Sequence, residues 1–336
     1  MAKNLYVIQN GFGKNVLFTS LIEKLKKRDK NNISIMSYWP FVFKDNPHVE
    51  NLIGFSPYPW QWSPQTQGFD NIIYQEPYYS NYLSDKSTHI IHHWADLLKI
   101  DRLKTIKPFV KIGAELEEHA KASFGEVLNH DFCIVQFYGG PNPEKDKFRP
   151  SERDYNPVLA DTIISRIMKE LNMEVISFSH ENQKQLSGTL RFQIEPENPS
   201  DVLTILPLIQ KAKFVITIDS SLMHLSACTD NDNVFVLWNE NVTSPERLGY
   251  SNHTHFRCKF SPTINVDPDD ILAKVSEVVR KNTFNEVIND RETYGNKGPL
   301  ASIVPNVDTI VEESSVLGIG NVKDTKEAND IEWTKI

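Results

Sequence analysis

A run of polar residues in the second half of the chain has the composition of a phosphate-binding turn. The apolar run 214–218 is typical of a buried strand. Asp219, Ser220 and Ser221 follow it directly, ahead of a short helical pattern that contains His224. Backbone N–H groups at the start of a helix have no partner within the helix, so such a turn can bind a phosphate. The structural alternative is that Asp219 or Ser220 caps the helix and that His224 is a helix histidine with satisfied hydrogen bonds.

A second candidate lies in a loop rich in Gly and Pro that follows the apolar run 132–137. Lys145, Lys147 and Arg149 are spaced by two residues in this loop. Backbone amides together with such cations can clamp a diphosphate. The same pattern also fits a solvated basic loop, and the residues alone favour neither interpretation.

A third candidate binding loop lies near the start of the chain. Gly11 and Gly13 lie between the apolar run 5–8 and residues with helical spacing, and Lys14 follows. Amides in such a turn can face an anion or an acceptor sugar. The third glycine of the dinucleotide-binding pattern is absent, because Val16 occupies its position. A tight turn between strand and helix is the structural alternative.

Other familiar chemistries have little support. His89, His92 and His93 do not suit a metal, since neighbours on a helix point about 100° apart and His92 and His93 cannot easily share one ion. The three cysteines have no metal or redox spacing and imply no disulfide framework. The chain also lacks a nucleophile-elbow motif, which makes a serine hydrolase unlikely. These patterns lead us to expect no metal site, and we also expect no cofactor.

The elements that must position these residues form two α/β series, and the first begins with a βαβ unit, which is typical of a parallel sheet. The predicted strands are 5–8, 33–36, 72–74, 89–91, 132–137, 173–178, 214–218 and 234–238. The predicted helices are 16–25, 115–128, 156–171, 201–212, 222–228 and 268–281, the last capped by Asp267. We place domains at 1–129 and 130–285, followed by an acidic extension, 286–336, which we expect to be partly disordered.

Composition limits the function classes. The 336 residues suit two domains, and the net charge of -8 argues against a general nucleic-acid surface. The sequence has no apolar window of about 18 residues, so we expect no membrane span. Its first residues lack the pattern of a secretory signal, so we expect a cytoplasmic protein.

The segment 219–227 resembles the D-S/T-G-x-x-H-L-A-A signature of glycosyltransferase family 9, which contains the ADP-heptose:lipopolysaccharide heptosyltransferases. Segments 13–22, 46–53 and 243–250 also resemble motifs of this family and occur in its order. The resemblance implies a GT-B architecture, in which two Rossmann-like domains face each other across a cleft. The first domain would bind the acceptor and the second the nucleotide sugar, with inverting transfer and no bound metal.

The resemblance also implies roles for residues. Four would hold the diphosphate and sugar of the donor: Asp219, Ser220, Ser221 and His224. Lys147 would match the family's phosphate-binding lysine, with Arg149 as a partner, and Gly11, Gly13 and Lys14 would form the acceptor-side loop.

Two departures from the family pattern affect these roles. Lys14 stands where the family has its proposed catalytic base, an aspartate, and Ser221 replaces a glycine. A lysine is protonated at pH 7 and cannot accept the acceptor proton, so the base is unidentified. We interpret the chain as a glycosyltransferase that moves a heptose or related sugar to a glycan or lipopolysaccharide-type acceptor. The alternatives are a phage-type enzyme that glycosylates a modified DNA base and a catalytically inactive nucleotide-sugar-binding protein.

Overall fold

The structure is a computed structural model that describes residues 3–9, 11–31, 33–56, 58, 61–139, 150–179, 183–192, 199–259 and 261–294. Residues 1–282 form one compact unit, and a second unit begins at Thr283. Of the second unit, only the backbone up to Tyr294 is described.

Two parallel sheets organise the first unit. The strands are β1 (Asn4–Ile8), β2 (Ile33–Ser37), β3 (Val49–Gly54), β4 (Asn71–Ile73), β5 (Phe132–Val135), β6 (Glu174–Phe178), β7 (Leu190–Phe192), β8 (Val215–Ile218), β9 (Val234–Asn239) and β10 (Thr254–Cys258). One sheet has the order β3-β2-β1-β4 and the other β10-β9-β8-β5-β6-β7. Every pairing between these strands is parallel. The expected α/β fold is therefore confirmed.

Helices cover the sheets. They are α1 (Phe12–Phe18), α2 (Ile22–Asp29), α3 (Trp62–Thr66), α4 (Ile90–Leu97), α5 (Ala114–Phe124), α6 (Pro157–Glu170), α7 (Ile205–Lys211), α8 (Ser221–Ser226), α9 (Pro245–Leu248) and α10 (Pro268–Tyr294). Short 3-10 helices occupy Thr19–Leu21, Pro40–Phe43, Pro77–Tyr79, Asn81–Leu83, Val127–Asn129 and Pro199–Thr204. Strands β5, β8 and β9 are buried along their whole length, as expected for parallel strands with both faces covered.

One apolar cluster contains residues from both halves of the chain. Its buried side chains come from both halves, for example Leu17 and Phe18 in α1 and Leu222 and Met223 in α8. Helix α5 precedes residue 129, yet its last residue Phe124 stacks on Phe192 of β7, with ring centroids 5.6 Å apart. The predicted domain boundary at residue 129 stays a prediction.

The expected strand at 89–91 is wrong, because these residues begin helix α4. His89 is the N-cap, and its Nδ1 accepts a hydrogen bond of 3.2 Å from the Ile91 N–H. The buried apolar residues Ile90, Ile91, Trp94 and Ala95 recur at helical spacing, and this period decides the conformation.

Strands β3, β7 and β10 were not expected from the sequence. All three lie at sheet edges, where partly exposed residues replace the apolar runs that mark buried strands. The Asp267 cap is confirmed, since its Oδ1 accepts a hydrogen bond of 2.8 Å from the Asp269 N–H.

Helix α10 extends to Tyr294, which places the start of the predicted extension 286–336 in a helix. Residues 295–336 lie outside the described part of the chain. Among the described residues, no helix combines the length and apolar character needed to cross a membrane.

Candidate active site

A cavity of about 320 Å³ lies where the carboxyl ends of strands from both sheets meet. Loops at such ends form the usual ligand sites of open parallel sheets. From the first half the lining residues are Gly11, Gly13, Lys14, Leu17, Glu76, Tyr78 and Tyr79. From the second half they are Arg153, Asp219, Ser220, Ser221, His224 and Leu248. The structure therefore brings the predicted acceptor-side loop and the predicted donor turn around one cavity.

Helices α1 and α8 approach closely beside this cavity. A Cβ atom added to Gly13 would lie 2.7 Å from His224 Cδ2, a distance too short for a real contact. A Cβ added to Gly11 would meet nothing within 4 Å. Gly13 thus allows the two halves of the chain to pack closely at this point. The strand–turn–helix pattern of the sequence does not reveal this reason for a glycine at position 13.

His224 has a packing role in this contact. Its Nδ1 lies 2.9 Å from the Tyr250 hydroxyl oxygen. Burial above all, with neighbouring positive charges such as Arg153, lowers the pKa of His224 to about 3. The imidazole is therefore neutral near pH 7, and it lines the cavity without supplying a positive charge for a phosphate.

Side-chain hydrogen bonds of Ser220 fix the turn after β8. The Ser220 hydroxyl hydrogen bonds to Gln136 Oε1 and lies 3.1 Å from Thr217 Oγ1. Ser220 occupies the N-cap position of α8 but makes no side-chain hydrogen bond to that helix. Ser220 therefore does not cap helix α8 with its side chain. The first N–H groups of α8 receive no hydrogen bond from the side chain at the N-cap position.

Asp219 and Arg153 form the charged part of the donor side. Arg153 Nη2 donates to the Asp219 carbonyl oxygen and lies 3.6 Å from Asp219 Oδ2. Burial raises the pKa of Asp219, and the positive charges of Arg153 and Arg247 oppose that shift. The sequence interpretation missed Arg153, although it lies only a few residues beyond the basic loop that contains Lys147 and Arg149.

Lys14 and Glu76 form a buried ion pair at the opposite wall. Lys14 Nζ donates to Glu76 Oε2, and the two side chains are only 7% and 6% exposed. Glu76 was also missed by the sequence interpretation. The available signal was its position just beyond the predicted strand 72–74, at the carboxyl end where sheet ligands bind.

Aromatic residues border the same wall. Tyr79 is 83% exposed at the cavity, and Tyr78 packs edge-on against Tyr82, with ring centroids 5.2 Å apart. Arg247, from the segment 243–250, lies 4.0 Å from the centroid of the Tyr82 ring and donates to the Tyr82 carbonyl oxygen at 2.9 Å. This contact is a second connection between the two halves.

Two predicted donor residues, Lys147 and Arg149, lie outside the described residues, and so does Lys145. Within the described residues, no group of three His, Cys, Asp or Glu side chains is placed to hold a metal ion. The roles assigned to the lining residues stay predictions.

Comparisons with solved structures identify proteins of the same fold. E. coli ADP-heptose LPS heptosyltransferase II matches with a TM-score of 0.63 and 13% identity, over 84% of this chain and 99% of that chain. A family 9 glycosyl transferase from Veillonella parvula DSM 2008 matches with a TM-score of 0.61 and 12% identity, over 83% and 97%. E. coli heptosyltransferase WaaC with ADP matches with a TM-score of 0.52 and 12% identity, over 82% and 99%.

Comparisons of sequence add no relative. No protein-family model matches the chain, and no curated protein matches it. The structural matches cover nearly the whole of each of these three proteins, so the likeness includes both sheets. The chain therefore has the fold of the family 9 glycosyltransferases and heptosyltransferases to which it is similar.

Proposed function

We propose that this protein is a glycosyltransferase that moves a sugar from a nucleoside-diphosphate sugar to an acceptor hydroxyl. The observation that carries the proposal is the shared cavity, where the turn 219–221 faces the loop 11–14. The fold shared with heptosyltransferases supports it. The donor would bind to the second half of the chain and the acceptor to the first.

The donor side suits a leaving group with growing negative charge. When the bond from the sugar to the diphosphate breaks, the bonding electron pair stays on a phosphate oxygen. The first turn of α8 offers N–H groups, and Arg153 offers a guanidinium whose side chain is 47% exposed. A guanidinium has five N–H donors, and the Arg153 contacts to Asp219 use Nη2 alone. The remaining N–H donors of Arg153 can form a bidentate contact with phosphate oxygens.

Asp154, next to Arg153, bonds to described residues on both sides of the segment 140–149. Asp154 Oδ1 accepts a hydrogen bond of 2.6 Å from the Gly139 N–H, and Asp154 Oδ2 accepts one of 2.5 Å from the Ser151 N–H. One carboxylate thus joins the two ends of the segment that contains Lys147 and Arg149. We propose that these two residues complete the diphosphate site begun by Arg153.

The proposed reaction is a single displacement that inverts the anomeric carbon. The acceptor oxygen attacks opposite the diphosphate while a base takes its proton. Cationic side chains offset the charge of the leaving group, so the proposal requires no metal. Structures similar to this chain include an ADP-heptose LPS heptosyltransferase and a heptosyltransferase with ADP. We therefore propose a heptose or related sugar as the transferred group and a glycan or lipopolysaccharide-type acceptor.

One observation favours a second candidate, a nucleotide-sugar-binding protein without transferase activity. Lys14 occupies the position of the family's proposed base, and it is buried in an ion pair. A buried ammonium cannot accept a proton. The second candidate holds if the donor binds and no bond to the sugar is ever broken.

Donor binding is tested by thermal unfolding with ADP-, GDP-, UDP- and TDP-sugars. A donor at about 100 times its dissociation constant should add about 2.7 kcal/mol to the stability of the native protein. Arg153→Ala should weaken that binding by about 10- to 100-fold, because it removes charge-assisted hydrogen bonds worth about 1.5–3 kcal/mol.

The matched control is Arg102→Ala, since Arg102 is exposed, pairs with Asp96 and does not line the cavity. It should bind the donor as the native protein does. Stabilisation by none of the four classes of donor would contradict the proposed function. Equal donor affinity in Arg153→Ala would remove Arg153 from the donor site.

A further inference from the structure

The wall of the cavity opposite the donor turn carries one carboxylate. The described lining contains two, Asp219 and Glu76. Asp219 belongs to the donor turn and lies against Arg153. Glu76 comes from the loop after β4, in the half where the acceptor would bind, and its partner is Lys14.

We propose that Glu76 is the general base of the transfer and that Lys14 is its positioning residue. This inference rests on the proposed glycosyl transfer. In the family pattern a carboxylate lies on α1, at the position of Lys14. Here Glu76 supplies the carboxylate from the loop after the neighbouring strand β4, and Lys14 holds Glu76 in place.

The two oxygens of Glu76 have different surroundings. Oε2 accepts the hydrogen bond from Lys14 Nζ. Oε1 is buried and has no hydrogen-bond partner among the described residues. A buried carboxylate oxygen without a donor is unfavourable, and Glu76 lines the cavity, so we infer that a hydroxyl bound there would supply the hydrogen bond that Oε1 lacks. An acceptor hydroxyl is such a donor, and its proton would point at Oε1.

Other groups at the cavity are less suited to take this proton. Lys14 is an ammonium within the ion pair. His224 has its Nδ1 engaged with Tyr250, and its strongly lowered pKa makes it a weak base. The phenol of Tyr78 stays neutral because burial raises its pKa. A carboxylate held by an ammonium is oriented, as a general base must be.

The step balances without a further reactant. The acceptor oxygen forms a bond to the anomeric carbon, and the bond from that carbon to the diphosphate oxygen breaks. The electron pair leaves with the diphosphate, and the hydroxyl proton passes to Glu76 Oε1. Lys14 keeps its own proton throughout. Glu76 returns its proton to water after the products leave.

The test uses water as the acceptor, so it does not require the natural one. The probe is the nucleotide sugar that stabilises the native protein most, and the readout is the release of nucleoside diphosphate. Glu76→Gln keeps the shape and lets its amide oxygen accept from Lys14. We expect this variant to release the diphosphate about 100- to 10,000-fold more slowly, the range for loss of a general base. Its thermal shift with the donor should equal that of the native protein.

Two further variants separate catalysis from structure. Glu76→Asp restores a carboxylate and should recover part of the rate that Glu76→Gln loses. Glu50→Gln removes an exposed carboxylate in β3 and should leave both release and donor binding unchanged.

The outcomes are distinct. Equal release by Glu76→Gln and the native protein would overturn the assignment of Glu76. Donor binding by the native protein with no release would also overturn it and would favour the inactive binding protein. If no donor stabilises the native protein, the proposed function itself fails, and the assignment fails with it.

Discussion

Between pH 7 and pH 5, three buried histidines that resist protonation are expected to lower the free energy of unfolding by about 6 kcal/mol. Burial is the main cause at each of them. It lowers the pKa of His224 and of His253 to about 3 and the pKa of His89 to about 4. Neighbouring positive charges, such as Arg153 near His224, lower the pKa further.

The sign follows from proton binding in the two states. An unfolded histidine has a pKa near 6.5, so below that pH the unfolded chain takes up protons that the folded protein does not. Stability is therefore complete above about pH 6.5 and is lost as pH falls toward the folded pKa values. Each histidine accounts for about 2 kcal/mol of the loss at pH 5.

Urea denaturation at pH 7, 6 and 5 measures this loss. His253→Gln should remove about 2 kcal/mol of the loss between pH 7 and pH 5, because glutamine does not titrate. Both ring nitrogens of His253 are buried with no hydrogen-bond partner among the described residues. His130→Gln changes an exposed residue and should leave the dependence intact. Equal stability at pH 5 and pH 7 would show that these histidines are open to protonation in the folded state.

Replacement of Lys14 by methionine should destabilise the protein by about 3–5 kcal/mol, the usual cost of breaking a buried ion pair. The Glu76 carboxylate is only 6% exposed and would lose the ammonium that donates to it. Methionine has a similar length, so the lost charge rather than a cavity causes the effect.

A double variant separates the pair from its surroundings. Lys14→Met with Glu76→Leu removes both charges and should recover most of the lost stability, since apolar replacements of buried pairs are often neutral. Urea denaturation of both single variants and the double variant gives the coupling energy. Additive losses would mean that the two side chains do not stabilise each other in solution.

The sequence predicted those parts of the site that come just after buried strands. The turn 219–221 comes immediately after β8, and the loop 11–14 follows closely after β1. An apolar run that ends in polar or Gly residues is visible without knowledge of tertiary contacts. The same reasoning also predicted both parallel sheets and most of their central strands.

The residues that the sequence interpretation missed depend on contacts between distant segments. Glu76 gains its importance from Lys14, which lies 62 positions earlier, and Arg153 from Asp219, which lies 66 positions later. Gly13 is required because His224 packs against it. Sequence periodicity carries no information on such pairs. The exposed edge strands were missed for a related reason, since they lack the apolar pattern of buried strands.

Hydrogen exchange with a bound donor tests directly whether the cavity between the two sheets is a nucleotide-sugar site. The donor is the nucleotide sugar that gives the largest thermal shift, supplied at about 100 times its dissociation constant. We predict slower exchange in segments 217–225 and 151–155, where the donor would bind, and in the loop 11–17 across the cavity. Protection confined to other parts of the chain, with these three segments unchanged, would show that the donor binds elsewhere and that this cavity is not its site.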